Sequence, residues 1–116
     1  AAGEPIEALE NPEMVDIPSS LLHPDNYVLQ VKGNSMIDEQ IHDKDYIVAR
    51  KTNTARSGQI VVALINGEAT LKYYIHGPEG VELHPRNPDF PIIKVDPKDD
   101  FHINGVLLYS FRNYLN

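Results

Sequence analysis

A chain of 116 residues with 17 acidic and 10 basic side chains, net −7 at pH 7, has room for one domain and too little positive charge to grip nucleic acid by itself. The lack of cysteine excludes a disulfide scaffold, a thiol nucleophile and a cysteine-ligated zinc site, and no apolar run approaches the ~20 residues of a membrane-spanning helix. Nine prolines and seven glycines among short apolar runs argue against a helical bundle, so the expectation is a soluble, cytoplasmic, mostly β domain.

Residues 1–26 read as an extended arm. Pro5, Pro12, Pro18 and Pro24 prevent a long helix, while Ile6, Leu9, Met14, Val15, Ile17, Leu21 and Leu22 are too many apolar groups for a free linker. The arm is therefore expected to lie along the body, partly as an edge strand. Residues 27–116 form the domain proper. Tyr27–Val31 predicts a strand ended by Gly33, Met36–Ile41 a single helical turn, and Asp43-Lys44-Asp45 a turn before a strand at Tyr46–Ala49. Gln59–Ile65 and Glu68–Ile75 flank Asn66-Gly67, the strongest short hairpin signal, because both central residues of a type I′ turn need positive φ. Gly77-Pro78-Glu79-Gly80 turns into Val81–His84, Ile92–Val95 is short, and Phe101–Phe111 is long and bulged near Gly105. Strands of this length and spacing predict a small, twisted, largely antiparallel sheet or partly closed barrel. Charge divides unevenly: residues 1–45 are net −8 and residues 46–116 net +1. An acidic arm of this kind is either simply solvated or docks on a basic surface.

Two residues carry the chemical argument. Period two puts Thr70, Lys72 and Tyr74 on one strand face and Ala69, Leu71 and Tyr73 on the other. On a solvated face Lys72 is an ordinary surface cation. Buried, it could be held neutral as a general base, with Thr70 aiming the amine. Ser35 follows the turn at Gly33-Asn34. It is either a plain turn serine or a nucleophile presented beside backbone N–H groups that could hold an oxyanion. His23, His42, His76, His84 and His102 are scattered; none pairs with an acid and a serine, and none has metal-ligand spacing. A serine activated by a lysine is thus the best catalytic option, with no metal and no cofactor expected.

Val31-Lys32-Gly33-Asn34-Ser35-Met36-Ile37-Asp38, Asp43-Lys44-Asp45-Tyr46-Ile47-Val48, Gly58-Gln59-Ile60-Val61-Val62-Ala63 and Ala69-Thr70-Leu71-Lys72 closely resemble the self-cleaving domain of the LexA repressor family. That family also takes in UmuD proteins and lambda-type phage repressors. Ser35 and Lys72 are 37 residues apart, in agreement with the family spacing. Glu82-Leu83-His84-Pro85-Arg86-Asn87-Pro88 resembles the L-x-P-x-N segment, and Ile103-Asn104-Gly105-Val106 the last strand. The resemblance covers nearly the whole chain. Tyr73-Tyr74 departs from it, standing where the family commonly shows a basic residue after the lysine.

The resemblance implies a Ser35–Lys72 peptidase that cuts its own Ala2-Gly3 bond, with Asn34 joining Ser35 at the oxyanion. It implies stimulation by the RecA filament on single-stranded DNA, a homodimer edge along Phe101–Asn116, and DNA binding only through an N-terminal domain not contained in this chain. Leu107, Tyr109 and Phe111 are expected to be exposed on that edge. No membrane partner is implied. Other readings of the same residues are a UmuD-like subunit of a lesion-bypass polymerase, a phage repressor, or a catalytically silent dimerisation module.

Overall fold

Short β-branched runs punctuated by glycine and proline leave the chain little choice but strands. The computed structural model describes residues 9–12 and 15–114. Among them are β1 (Leu9–Glu10), β2 (Asn26–Val31), β3 (Tyr46–Lys51), β4 (Ile60–Ile65), β5 (Glu68–Gly77), β6 (Gly80–His84), β7 (Ile93–Lys94) and β8 (Phe101–Phe111). Single 3₁₀ turns occur at Ser19–Leu21 and Ile37–Glu39. The strands form one antiparallel sheet in the order β1-β2-β3-β8-β4-β5-β6-β7. The sheet curls into a half-barrel.

Turn chemistry fixes the register. Asn66 and Gly67 have φ of 52° and 84°, the two positive values that a type I′ hairpin requires between β4 and β5. β1 pairs with the outer edge of β2, so part of the arm does form an edge strand. β8 lies between β3 and β4 and is bulged against each of them in turn. Opposite β4 the pairing steps from Val62–Gly105 to Ala63–Ile103, leaving Asn104 out. Opposite β3 it steps from Val48–Tyr109 to Ala49–Leu107, leaving Leu108 out. Each extra residue bends the strand and increases its twist, which lets one sheet curl around itself.

The curl buries both faces of β4. Val61, Ala63 and Ile65 pack with Tyr74, Leu83 and Ile103 on one side. Val62 packs with Met36, Ile41, Ile47 and Leu71 on the other. The two sides of β5 therefore alternate as expected, but neither is a solvated face. The edge expected along Phe101–Asn116 is, among the described residues, confined to 107–111, because residues 101–106 are paired with β4. Of the three apolar residues expected to be exposed there, Tyr109 is exposed, Leu107 packs against the second cluster, and Phe111 is half-buried with its ring 5.3 Å from that of Tyr46.

Candidate active site

The loop after β2 is built by backbone geometry and short polar bonds. Gly33, at φ 93°, turns the chain where a side chain would be strained. Its N–H donates to Asp43 Oδ1 at 2.7 Å, and the Asp43 N–H donates to Asn34 Oδ1 at 2.9 Å. Residues 43–45 thereby fold back on residues 33–34. From the other side, the Arg86 N–H donates to the Ser35 carbonyl at 2.8 Å, and Asn87 Nδ2 donates to the Asn34 carbonyl at 2.9 Å. The peptide units flanking Ser35 are thus strapped by two adjacent residues, Arg86 and Asn87, far away in sequence.

This strapping seats Ser35 against β5. Lys72 Nζ donates to Ser35 Oγ at 2.8 Å and to Thr70 Oγ1 at 2.6 Å. Relative exposures of 3% for Ser35, 3% for Lys72 and 0% for Thr70 place all three away from bulk water. Lys72 lies opposite Val61 and Thr70 opposite Ala63, both members of an apolar cluster. Strand alternation brings Thr70 and Lys72 to one face, and the loop supplies the hydroxyl that meets them. The three residues singled out in sequence therefore converge. Asn34 is adjacent, with its side chain anchoring the turn. Ala2 and Gly3 lie outside the described residues.

Charged groups ring this core. Asp45 is 2% exposed; burial by itself would raise its carboxyl, but hydrogen bonds from Arg112 and from the His42 N–H outweigh that and hold it below the usual carboxylate range. Tyr73, next to Lys72 on the opposite face, donates to Glu39 Oε1 at 2.6 Å. That hydrogen bond, with burial second, raises the phenol above its ordinary value. Among the described residues, no three His, Asp or Glu side chains converge in a way that could hold a metal ion.

Several supporting residues escaped the reading of the sequence. Arg86 and Asn87 fall in the segment that resembles L-x-P-x-N, so their importance was signalled, but not which carbonyls they bind. Glu39 and Arg112 gave no local signal. A hollow of about 840 Å³ runs beside Leu9, Tyr27, Leu29 and Ala69, and neither Ser35 nor Lys72 lines it.

The chain is similar to known proteins along nearly its whole length. The Peptidase S24-like family matches residues 1–108. The chain is 46% identical to the LexA repressor of Syntrophotalea carbinolica, over 98% of the chain and 57% of that protein. It is 44% identical to the LexA repressor of Erythrobacter litoralis, over 98% of the chain and 49% of that protein. With the LexA repressor of Pseudothermotoga lettingae the identity is 46%, over 98% of the chain and 58% of that protein. The chain thus spans about half the length of the relatives it matches.

Proposed function

Since the chain belongs to the Peptidase S24-like family, we propose that it is the self-cleaving and dimer-forming part of a LexA-like repressor, with Ser35 as nucleophile and Lys72 as general base. The observation that carries this reading is the 2.8 Å contact between Lys72 Nζ and Ser35 Oγ, two buried side chains from distant parts of the chain. A lysine ordinarily titrates near ~10.4, and a general base must be neutral. Burial beside apolar side chains penalises the ammonium and favours that neutral form. In the neutral amine one N–H still points to Thr70 Oγ1, while the lone pair accepts the Ser35 proton at the same heavy-atom separation.

Ser35 Oγ attacks the carbonyl carbon of Ala2 as its proton passes to Lys72 Nζ. The resulting oxyanion is held by backbone N–H groups at Asn34 and Ser35. The C–N bond then breaks, and the Lys72 ammonium returns the proton to the amine of Gly3. Water, giving its proton to the neutral Lys72, attacks the acyl ester and frees Ser35. Tethering substitutes for substrate encounter, so a weak nucleophile is sufficient. Residues 1–26 act as the arm that carries the scissile bond and residues 27–116 as the peptidase and dimerisation domain. In the whole protein, DNA is held by an N-terminal domain, the end of β8 beyond its pairing with β4, residues 107–111, joins two copies, and the RecA filament on single-stranded DNA favours the docked arm. Such a repressor works in the cytoplasm. No helix among the described residues is long and apolar enough to cross a membrane.

The test is mass spectrometry of the chain extended upstream of Ala1, incubated from roughly pH 6 to 10 with and without RecA filaments. A fragment beginning at Gly3 is expected, forming faster as pH rises and absent in Ser35→Ala and Lys72→Ala. Undiminished cleavage in either variant, or a rate flat with pH, overturns the reading. Absence of the fragment under every condition favours the silent dimerisation module.

A further inference from the structure

Tyr73 stands where the resembled family commonly carries a basic residue, immediately after Lys72, and its side chain leaves the strand on the face opposite Lys72. That face is not idle. The phenol donates to Glu39 Oε1 at 2.6 Å across 34 residues, and Glu39 sits in the 3₁₀ turn four residues past Ser35. The Arg86 guanidinium lies 3.9 Å from the centre of the Tyr73 ring, close enough for a cation–π contact. Arg86 Nε is 3.8 Å from the same Glu39 oxygen. The main chain of Arg86 grips the serine loop as well, its N–H on the Ser35 carbonyl and its own carbonyl accepting from the Asp38 N–H, both at 2.8 Å.

From this juxtaposition we propose that Tyr73, Glu39 and Arg86 form a clamp that fixes the separation of Ser35 and Lys72, and are positioning residues for self-cleavage. The inference rests on the Ser35–Lys72 reading and deepens it. Its logic is mechanical. Lys72 belongs to a sheet strand with little freedom, whereas Ser35 sits on a loop. A loop hydroxyl keeps hydrogen-bond distance to a strand amine only if the loop is tied to that strand. The 3₁₀ turn after Ser35 is tied through Glu39 to the residue adjoining Lys72, and the Ser35 peptide is tied through Arg86, which stacks on that same residue. One aromatic side chain thus references the nucleophile to its base from the far side of the strand. None of the three side chains touches the reacting atoms.

The experiment uses the upstream-extended chain and two readouts: the first-order rate of self-cleavage, and the rate at which a fluorophosphonate probe labels Ser35. Tyr73→Phe removes one hydroxyl and keeps the ring on which Arg86 stacks. It is expected to slow both readouts together by about tenfold, the order expected when a reacting group drifts by a fraction of an ångström. Glu39→Leu is expected to do the same, and Glu39→Gln, whose amide oxygen still accepts the phenol proton, to restore most of both rates. The double variant Tyr73→Phe/Glu39→Leu is expected to be no slower than the slower single variant, because both break one bond. A general loss of stability would not be repaired by Gln in place of Leu. Wild-type rates in Tyr73→Phe, or Glu39→Gln as slow as Glu39→Leu, overturn the clamp while cleavage lost in Ser35→Ala leaves the dyad standing. A wild-type chain that neither cleaves nor labels overturns both.

Discussion

Arg112 and Asp45, 67 residues apart, form a two-pronged ion pair: Nε meets Oδ1 at 2.6 Å and Nη2 meets Oδ2 at 3.0 Å. The pair joins the residue just after β8 to the acidic turn before β3. Asp45 also accepts from the His42 N–H at 2.8 Å, and its carbonyl accepts from the Val31 N–H at 2.7 Å. The last strand is therefore connected to the turn that folds back on Asn34 and braces the serine loop. The C-terminal end of β8 thus has a direct mechanical route to the candidate nucleophile.

This pair makes a pH prediction. Asp45 is held below the usual carboxylate range, so its stabilisation is complete above that range and disappears as pH falls through the lowered folded value. Arg112→Leu removes the partner and leaves burial to raise the carboxyl. Thermal unfolding at pH 7 is expected to show the variant melting several degrees below wild type. The gap is expected to close as pH falls below the ordinary carboxylate value and through the lowered folded one, where Asp45 becomes protonated in both proteins. A gap independent of pH would mean that the guanidinium acts by packing alone.

Thr70 gives a sharper test of the dyad. Its hydroxyl is 2.6 Å from Lys72 Nζ and fully buried. Thr70→Val keeps the shape and deletes the acceptor, so Lys72 loses one of its hydrogen bonds and its aim. A stability loss of about 1–2 kcal/mol in denaturant unfolding is expected, with a larger proportional loss in cleavage rate. Thr70→Ser, which keeps a hydroxyl with more rotational freedom, is expected to fall between. Equal cleavage by Thr70→Val and wild type would reduce Thr70 to a packing residue.

Asn87 straps the loop from outside. Its Nδ2 donates to the Asn34 carbonyl while its Oδ1 accepts from the Asp89 N–H, each at 2.9 Å. Asn87→Asp preserves the second bond and turns a carboxylate oxygen toward a carbonyl. Cleavage is expected to slow about tenfold while the fold survives, because acceptor now faces acceptor at one side of the nucleophile. Following the Gly3 fragment over time checks this.

Much of the architecture could be read from turns and periodicity. Asn66-Gly67, the Gly77–Gly80 turn and the irregularity near Gly105 each dictated a local geometry, and each occurs where those residues stand. Ser35 and Lys72 stood out as the best catalytic pair from the residues themselves, but their spacing matched a known arrangement only through the resemblance, because alternation gives a face but does not say what covers it. Lys72 looked like a surface lysine within its own strand; the loop and the β4 side chains make it buried. The exposure expected at Leu107 and Phe111 failed for a related reason. The bulge at Leu108 reorients β8 against β3, and Phe111 finds Tyr46 as a stacking partner. Long-range pairs such as Arg112–Asp45 and Tyr73–Glu39 have no local signature at all.

Gly105 offers a test of how tightly the curl is packed. A Cβ at that position would meet Tyr27 Oη at 2.6 Å and the Arg50 carbonyl at 2.9 Å. Tyr27 is fixed there because its hydroxyl donates to the Asn104 carbonyl at 2.9 Å, inside the bulge. Gly105→Ala must therefore push β8 away from both β2 and β3, and is expected to destabilise the domain by about 1–3 kcal/mol. Tyr27→Phe by itself loses one hydrogen bond, about 1 kcal/mol. In the double variant the closest clash is gone while the Arg50 carbonyl remains, so the combined loss is expected to be smaller than the sum of the singles. Denaturant unfolding of the four proteins measures that coupling. Simple additivity would show that Tyr27 moves aside freely and that the bulge, not the tyrosine, sets the path of β8.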